Sequence, residues 1–169
     1  MPQTVIRHES EHLYAEEPTA PSGKKLAHAV LRLRRAEHLQ AEYALRVTGL
    51  SNLDLTALRY LVQGYRDGRD LSPKDLIVML DTSSATVTNV VERLVARGYL
   101  TRVNHPTDRR AHYLKPTEDA IRCVDEAYVA HHSAISNVIG QLSSEEAECA
   151  ADVIAKIVDA LDEVNASDR

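Results

Sequence analysis

The sequence predicts a mainly α-helical protein with one small β-hairpin, on three observations. Apolar residues recur at helical spacing in six successive stretches. Most of these open on a serine or threonine placed as an N-cap. Between the second and fifth, Ser72–Lys115 reads as helix, tight turn, helix and then two short strands around a basic tip. A short helix pair followed by a basic hairpin is the outline of a winged helix-turn-helix. Its second helix can enter a DNA major groove while the wing reaches backbone or minor groove. The expected architecture is a winged helix-turn-helix domain over 51–115. A helical dimerisation arm, built from N- and C-terminal helices, covers 24–50 and 116–165. Residues 1–23 form an acidic arm, flexible or partly helical.

Each element has a local reason. Residues 1–23 are polar and punctuated by Pro2, Pro18 and Pro21. From about Lys24 to Val47, Leu26, Val30, Leu33, Ala36, Ala44 and Val47 give a long helix with a broken apolar stripe, stopped at Thr48-Gly49. Ser51-Asn52-Leu53-Asp54 reads as a capping box opening a second helix through Leu55, Leu58, Leu61 and Val62, with Gly64 and Gly68 bracketing its end. Asp70-Leu71 suits a very short strand. Ser72, Pro73 and Asp75 start a third helix whose expected buried face is Leu76, Ile77, Met79 and Leu80. Asp81-Thr82-Ser83 is the turn. The fourth helix runs from about Ser84 to Arg97 and stops at Gly98. Residues 99–103 and 111–115 are the wing strands, and Pro106 bends the tip. Thr117 opens a fifth helix. Ser143-Ser144-Glu145-Glu146, a second capping box, opens a sixth through Ala147, Ala150, Ile154, Ile157, Val158, Leu161 and Val164. The last two helices hold more apolar surface than a small winged domain buries alone, so a homodimer is expected.

Charge is concentrated on the predicted DNA-facing block. The chain carries −5 overall, but residues 93–115 hold six basic residues (Arg93, Arg97, Arg102, Arg109, Arg110 and Lys115) against one acidic, Asp108. Residues 116–169 hold three basic and twelve acidic. Attraction to phosphate depends on charge within a Debye length of about 8–10 Å, so the local block outweighs the chain total. On the fourth helix, Val87, Val90, Val91, Leu94 and Val95 form the side expected to pack on the third helix. Ser84, Ala85, Thr88, Asn89, Glu92, Arg93 and Ala96 form the other. Asn pairs with adenine, Arg with guanine, and Thr offers a methyl or hydroxyl. Small residues at Ser84 and Ala85 let the helix N-terminus approach phosphate. At the wing, one Arg of the tip can enter a narrow A·T-rich minor groove, with Asp108 holding an Arg in position. Arg102 and Arg109 suit phosphate contacts.

Asp75-Leu76, Ser84-Ala85-Thr86-Val87-Thr88, Val91-Glu92-Arg93-Leu94, Gly98 and Arg102, with Pro106-Thr107-Asp108-Arg109-Arg110, resemble the multiple-antibiotic-resistance regulator (MarR) family over about residues 24–165. The resemblance implies a homodimeric winged-helix transcription regulator, usually a repressor of a neighbouring gene, released by a small ligand or an oxidant. The implied setting is the bacterial cytoplasm, on the nucleoid. By motif position Thr88, Asn89 and Arg93 take recognition-helix roles, Thr86 joins the DNA-binding set, and Asp108 and Arg110 take wing-tip roles. One departure is the absence of the family's usual Leu-Thr and Gly after the last wing strand. Leu114-Lys115-Pro116-Thr117 stands here, which leaves open the angle at which the fifth helix begins.

The expected partner is double-stranded DNA bearing a pseudo-palindrome, read by two recognition helices about 34 Å apart. What releases it has several readings. An anionic or phenolic ligand could be lined by Arg32, Arg34, Arg35, His38, Tyr43 or Tyr60, although these also suit surface charge and core packing. A thiol switch would use Cys123 or Cys149, but Cys149 sits among Glu146, Glu148 and Asp152, and packing is the simpler role for both. His28, His38, Glu42, Glu126, His131 and His132 contain no compact zinc motif, so no metal or cofactor is expected. Control by protein level alone needs no ligand. An enzyme is not expected, since no phosphate loop or nucleophile motif is present. The competing class is a winged-helix module for protein–protein contact that uses the acidic C-terminal half. No apolar run approaches the ~20 residues needed to cross a bilayer, and no apolar signal core follows Met1, so a cytosolic protein is expected.

Overall fold

Serine N-caps set the starts of the central helices in the computed structural model, which describes residues 18–104 and 112–167. The order is α1 (Pro21–Thr48), α2 (Asn52–Arg66), α3 (Pro73–Met79), α4 (Ser84–Ala96), β1 (Leu100–Asn104), β2 (His112–Pro116), α5 (Glu118–Ile139) and α6 (Ser144–Ser167). The chain divides into two units after Ala127. Helix α1 starts three residues before the apolar periodicity does, because Pro21 occupies its first turn, where a missing N–H costs nothing. It ends at Gly49, whose φ of 60° closes a bond from its N–H to the Leu45 carbonyl. The wing-tip residues Asp108, Arg109 and Arg110 lie outside the described residues.

In the first unit α2, α3 and α4 enclose one core. Leu58, Leu61, Leu76, Val87, Val90 and Leu94 are its most buried members, and Leu100 and Leu114 extend it under the wing. Antiparallel β1 and β2 pair Leu100 with Pro116 through Asn104 with His112. The strands sit one residue later than the sequence suggests. Leu71 bridges to Leu114, whose N–H donates to the Leu71 carbonyl at 2.8 Å, confirming a minimal strand there. Pro116 ends its strand, and the Thr117 hydroxyl then donates to the Gly98 carbonyl and accepts from Ala120 N. The departure after the last wing strand is thus a cap tied back to the end of α4. Ala120, Val124 and Ala127 of α5 are buried in this unit.

Three local expectations change. Ser51 accepts from Asp54 N, but the Asp54 carboxylate turns to Arg93 instead of closing a capping box. Met79 is exposed; of the expected face of α3 only Leu76 is fully buried, because the helix is just two turns long. Helix α2 continues through Gly64 to Arg66. Gly64 does not end the helix; it makes room for Leu71. A Cβ there would lie 2.8 Å from Leu71 Cδ1 and 3.2 Å from the Arg69 carbonyl. Gly64→Ala is therefore expected to lower stability by about 1 kcal/mol or more through overpacking, although alanine is the better helix former. A thermal melt that rises in this variant would contradict the packing.

Two capping boxes make the fold acid-sensitive. The Ser72 N–H and hydroxyl both donate to Asp75 Oδ2 at 2.7 Å, which holds the Asp75 carboxyl below its ordinary 3.8. Ser143 does the same for Glu146, holding it below 4.5. Folded values below unfolded ones add stability above the unfolded pKa, and it is lost as pH falls through the folded pKa. Melting temperature is expected to drop below about pH 4.5, and part of the drop should disappear in Ser72→Ala and Ser143→Ala. An undiminished drop in both variants would place the acid sensitivity elsewhere.

The second unit, described to residue 167, contains the C-terminal half of α5 and all of α6. Helix α6 buries none of its residues. Its exposed Ile154, Val158, Leu161 and Val164 recur at spacings of four and three, a continuous apolar stripe. Among the described residues, no helix is long and apolar enough to cross a membrane.

Candidate nucleic-acid interface

The turn between α3 and α4 aims the second helix outward. Asp81 adopts φ 46°, a left-handed conformation that Asp tolerates, and Thr82 N–H donates to the Ile77 carbonyl at 3.2 Å. Ser83 caps α4 by accepting from Thr86 N at 3.1 Å. Val87, Val90, Val91 and Leu94 are buried, fixing the rotation of α4; Val95, expected with them, is exposed. That rotation leaves Ser84, Ala85, Thr88, Asn89, Glu92 and Arg93 on the exposed side. The arrangement can present polar groups of four chemical kinds to a groove-shaped partner: hydroxyl, amide, carboxylate and guanidinium.

The side chains differ in how far they are committed. Thr86 is half-buried, and its hydroxyl lies 2.9 Å from Ser83 Oγ, so it belongs to the cap. Thr88 donates to the Ser84 carbonyl at 2.9 Å and keeps acceptor capacity. Arg93 makes two charge-assisted bonds across to α2: Nε to Asp54 Oδ2 at 3.0 Å and Nη2 to Oδ1 at 2.6 Å. Asp54 is the one buried polar or charged residue among the described residues, and its pairing holds the Arg93 guanidinium above its ordinary pKa. Sequence spacing hid this pair, since its members are 39 positions apart. One turn on, Arg97 donates to the Gly49 carbonyl at 3.0 Å. Arg102 is exposed on β1. Lys115 lies 5.6 Å from the Tyr65 ring centroid on the neighbouring helix.

A polar cleft of about 380 Å³ lies beside the far end of α4, lined by Val47, Thr48, Arg97, Tyr99, Asp119, Arg122, Cys123 and Glu126. Tyr99, hydrogen-bonded to Cys123 and partly buried, has its hydroxyl held above the usual tyrosine range. Arg122 pairs with Asp119. None of the suggested ligand residues Arg35, His38, Tyr43 and Tyr60 lines this cleft. His38 instead lies 3.3 Å from Glu42 on the same helix, and Tyr43 carries the Arg46 guanidinium over its ring. Cys123 is half-buried and Cys149 exposed. No group of three His, Cys, Asp or Glu among the described residues is placed to hold a metal.

Residues 48–111 match the sequence family described as MarR, and the match covers the end of α1, α2 to α4 and β1. Over that segment the chain is similar to the MarR family. Among relatives, the HTH-type transcriptional regulator MhqR of Bacillus subtilis is 31% identical over 75 residues, 44% of this chain and 52% of MhqR. The chain thus spans about half of that protein. The transcriptional repressor MprA of Escherichia coli is 23% identical over 141 residues, 80% of this chain and 79% of MprA. The winged-helix fold is shared with MepR of S. aureus. Its DNA complex superposes with a TM-score of 0.59 at 22% identity, covering 77% of this chain and 95% of MepR. Its ethidium-bound form gives 0.62 at 22% identity, covering 79% and 94%.

Proposed function

We propose that the chain is a sequence-specific, double-stranded DNA-binding transcription regulator that acts as a cytoplasmic homodimeric repressor. The observation that carries this reading is the exposed polar face of α4. Its rotation is fixed by four buried apolar residues, and Ser84, Ala85, Thr88 and Asn89 serve no packing role. These residues suit base edges and phosphate at the helix N-terminus, and Arg102 on the adjacent strand suits phosphate. Similarity to named transcriptional regulators, and of residues 48–111 to the MarR family, supports the assignment.

The apolar stripe on α6 supports a dimer, because Ile154, Val158, Leu161 and Val164 expose a row that water disfavours. A dimer presents α4 twice and favours a pseudo-palindromic site with half-sites about one helical turn apart. Release follows if a small anionic or phenolic molecule enters the cleft beside Arg97 and Arg122 and shifts α4, because both recognition helices then lose their common register.

The test combines affinity with assembly. Wild type is expected to be a dimer by light scattering and to bind a selected duplex with an affinity that falls steeply with salt. Ile154→Glu with Leu161→Glu should yield a folded monomer that binds DNA at least about tenfold more weakly. A monomeric wild type with full DNA affinity would contradict the dimer, and absence of DNA binding would contradict the whole reading.

A further inference from the structure

We infer that Asp54 is a positioning residue that makes Arg93 a directional reader of sequence instead of a general phosphate anchor; this rests on the DNA-binding reading above. An exposed arginine four positions after Asn89 lies on the same helical face, and an unpaired one would be drawn to any nearby phosphate. Here the carboxylate side is fixed. The Asp54 side chain is 7% exposed, and its backbone N–H is held by Ser51 Oγ. The guanidinium side is 51% exposed. The contact therefore runs from an anchored acid in α2 to an arginine at the surface of α4.

The geometry decides what remains available. A guanidinium has five N–H donors in a rigid plane. Asp54 takes the edge formed by Nε and Nη2. The end-on edge, Nη1 with the second proton of Nη2, faces away from the acid and keeps the parallel pair of donors that matches guanine O6 and N7. The adjacent carboxylate cancels much of the long-range attraction for phosphate but leaves the short-range hydrogen bonds. Because the pair forms before DNA arrives, Arg93 loses little further rotamer freedom on binding. Arg97, bonded to the Gly49 carbonyl one turn later, ties the same end of α4 to the same joint between α1 and α2.

The experiment compares wild type, Asp54→Asn, Arg93→Ala and the double variant. Each is titrated with its selected duplex and with scrambled duplex over a range of salt, with circular dichroism to verify folding. Asp54→Asn is expected to bind scrambled DNA more tightly and to lose about tenfold in selectivity. Its log K against log salt should steepen by up to about 0.9 per recognition helix, as one freed arginine takes a phosphate. The steepening should vanish in the double variant. A merely structural role would weaken both duplexes alike and leave the slope unchanged, and that result, with wild type selective, overturns the inference alone. A wild type without selectivity overturns the functional reading as well. If Asp54→Asn does not fold, Arg93→Lys decides: it keeps the charge but loses the fork, so selectivity should fall with an unchanged slope. Retained selectivity in that variant overturns the inference.

Discussion

Leu94→Ala is expected to cost about 2–5 kcal/mol, the usual penalty for emptying a closed leucine site. Leu94 is fully buried on α4, with Leu58 and Leu61 of α2 and Leu76 of α3 as fellow core members. Its side chain is part of what fixes the rotation of α4, so the loss reaches function as well as stability. Domains have about 5–15 kcal/mol in total, and this one change removes a large part of that. Denaturant unfolding should show a lower midpoint with an unchanged slope. A loss under about 1 kcal/mol would mean that the site collapses around the smaller side chain.

Asn89→Ala is expected to have the largest effect on recognition with almost none on folding. Asn89 is exposed at the middle of α4, and none of the buried contacts that hold α4 includes it. A paired asparagine–adenine contact is worth about 1–3 kcal/mol of discrimination, so the selected duplex should bind roughly tenfold to a hundredfold more weakly in each half-site. Scrambled DNA should bind as before, because phosphate attraction is untouched. Equal losses on both duplexes would move Asn89 from base reading to general contact.

Local chemistry made most of the fold legible. Ser51, Ser72, Ser83 and Ser143 each carry the N-cap bond that residue type and position suggest, and Gly98 takes the left-handed φ of 75° at the end of α4. The apolar face of α4 followed from period alone, apart from Val95 at its rim. Contacts across the sequence stayed hidden. Asp54 in a serine-headed tetrapeptide reads as half of a capping box, yet its carboxylate finds Arg93 on another helix, which no spacing rule reports. Gly64 reads as a helix end because glycine usually is one, whereas Leu71 from the far side of the turn is what requires it. The polar cleft was illegible for the same reason. Val47, Arg97 and Cys123 come from separate segments, while the tyrosines and histidine suggested on α1 and α2 lie elsewhere.

The most direct test of the DNA-binding account is selection of bound duplexes from a random pool by the full chain, followed by titration of the winner against its scrambled form. The account predicts an enriched pseudo-palindrome with half-site centres about ten base pairs apart, bound at least about a thousandfold more tightly than scrambled DNA. No enrichment, with weak binding to every duplex that collapses as salt rises, would contradict it and leave only nonspecific phosphate attraction.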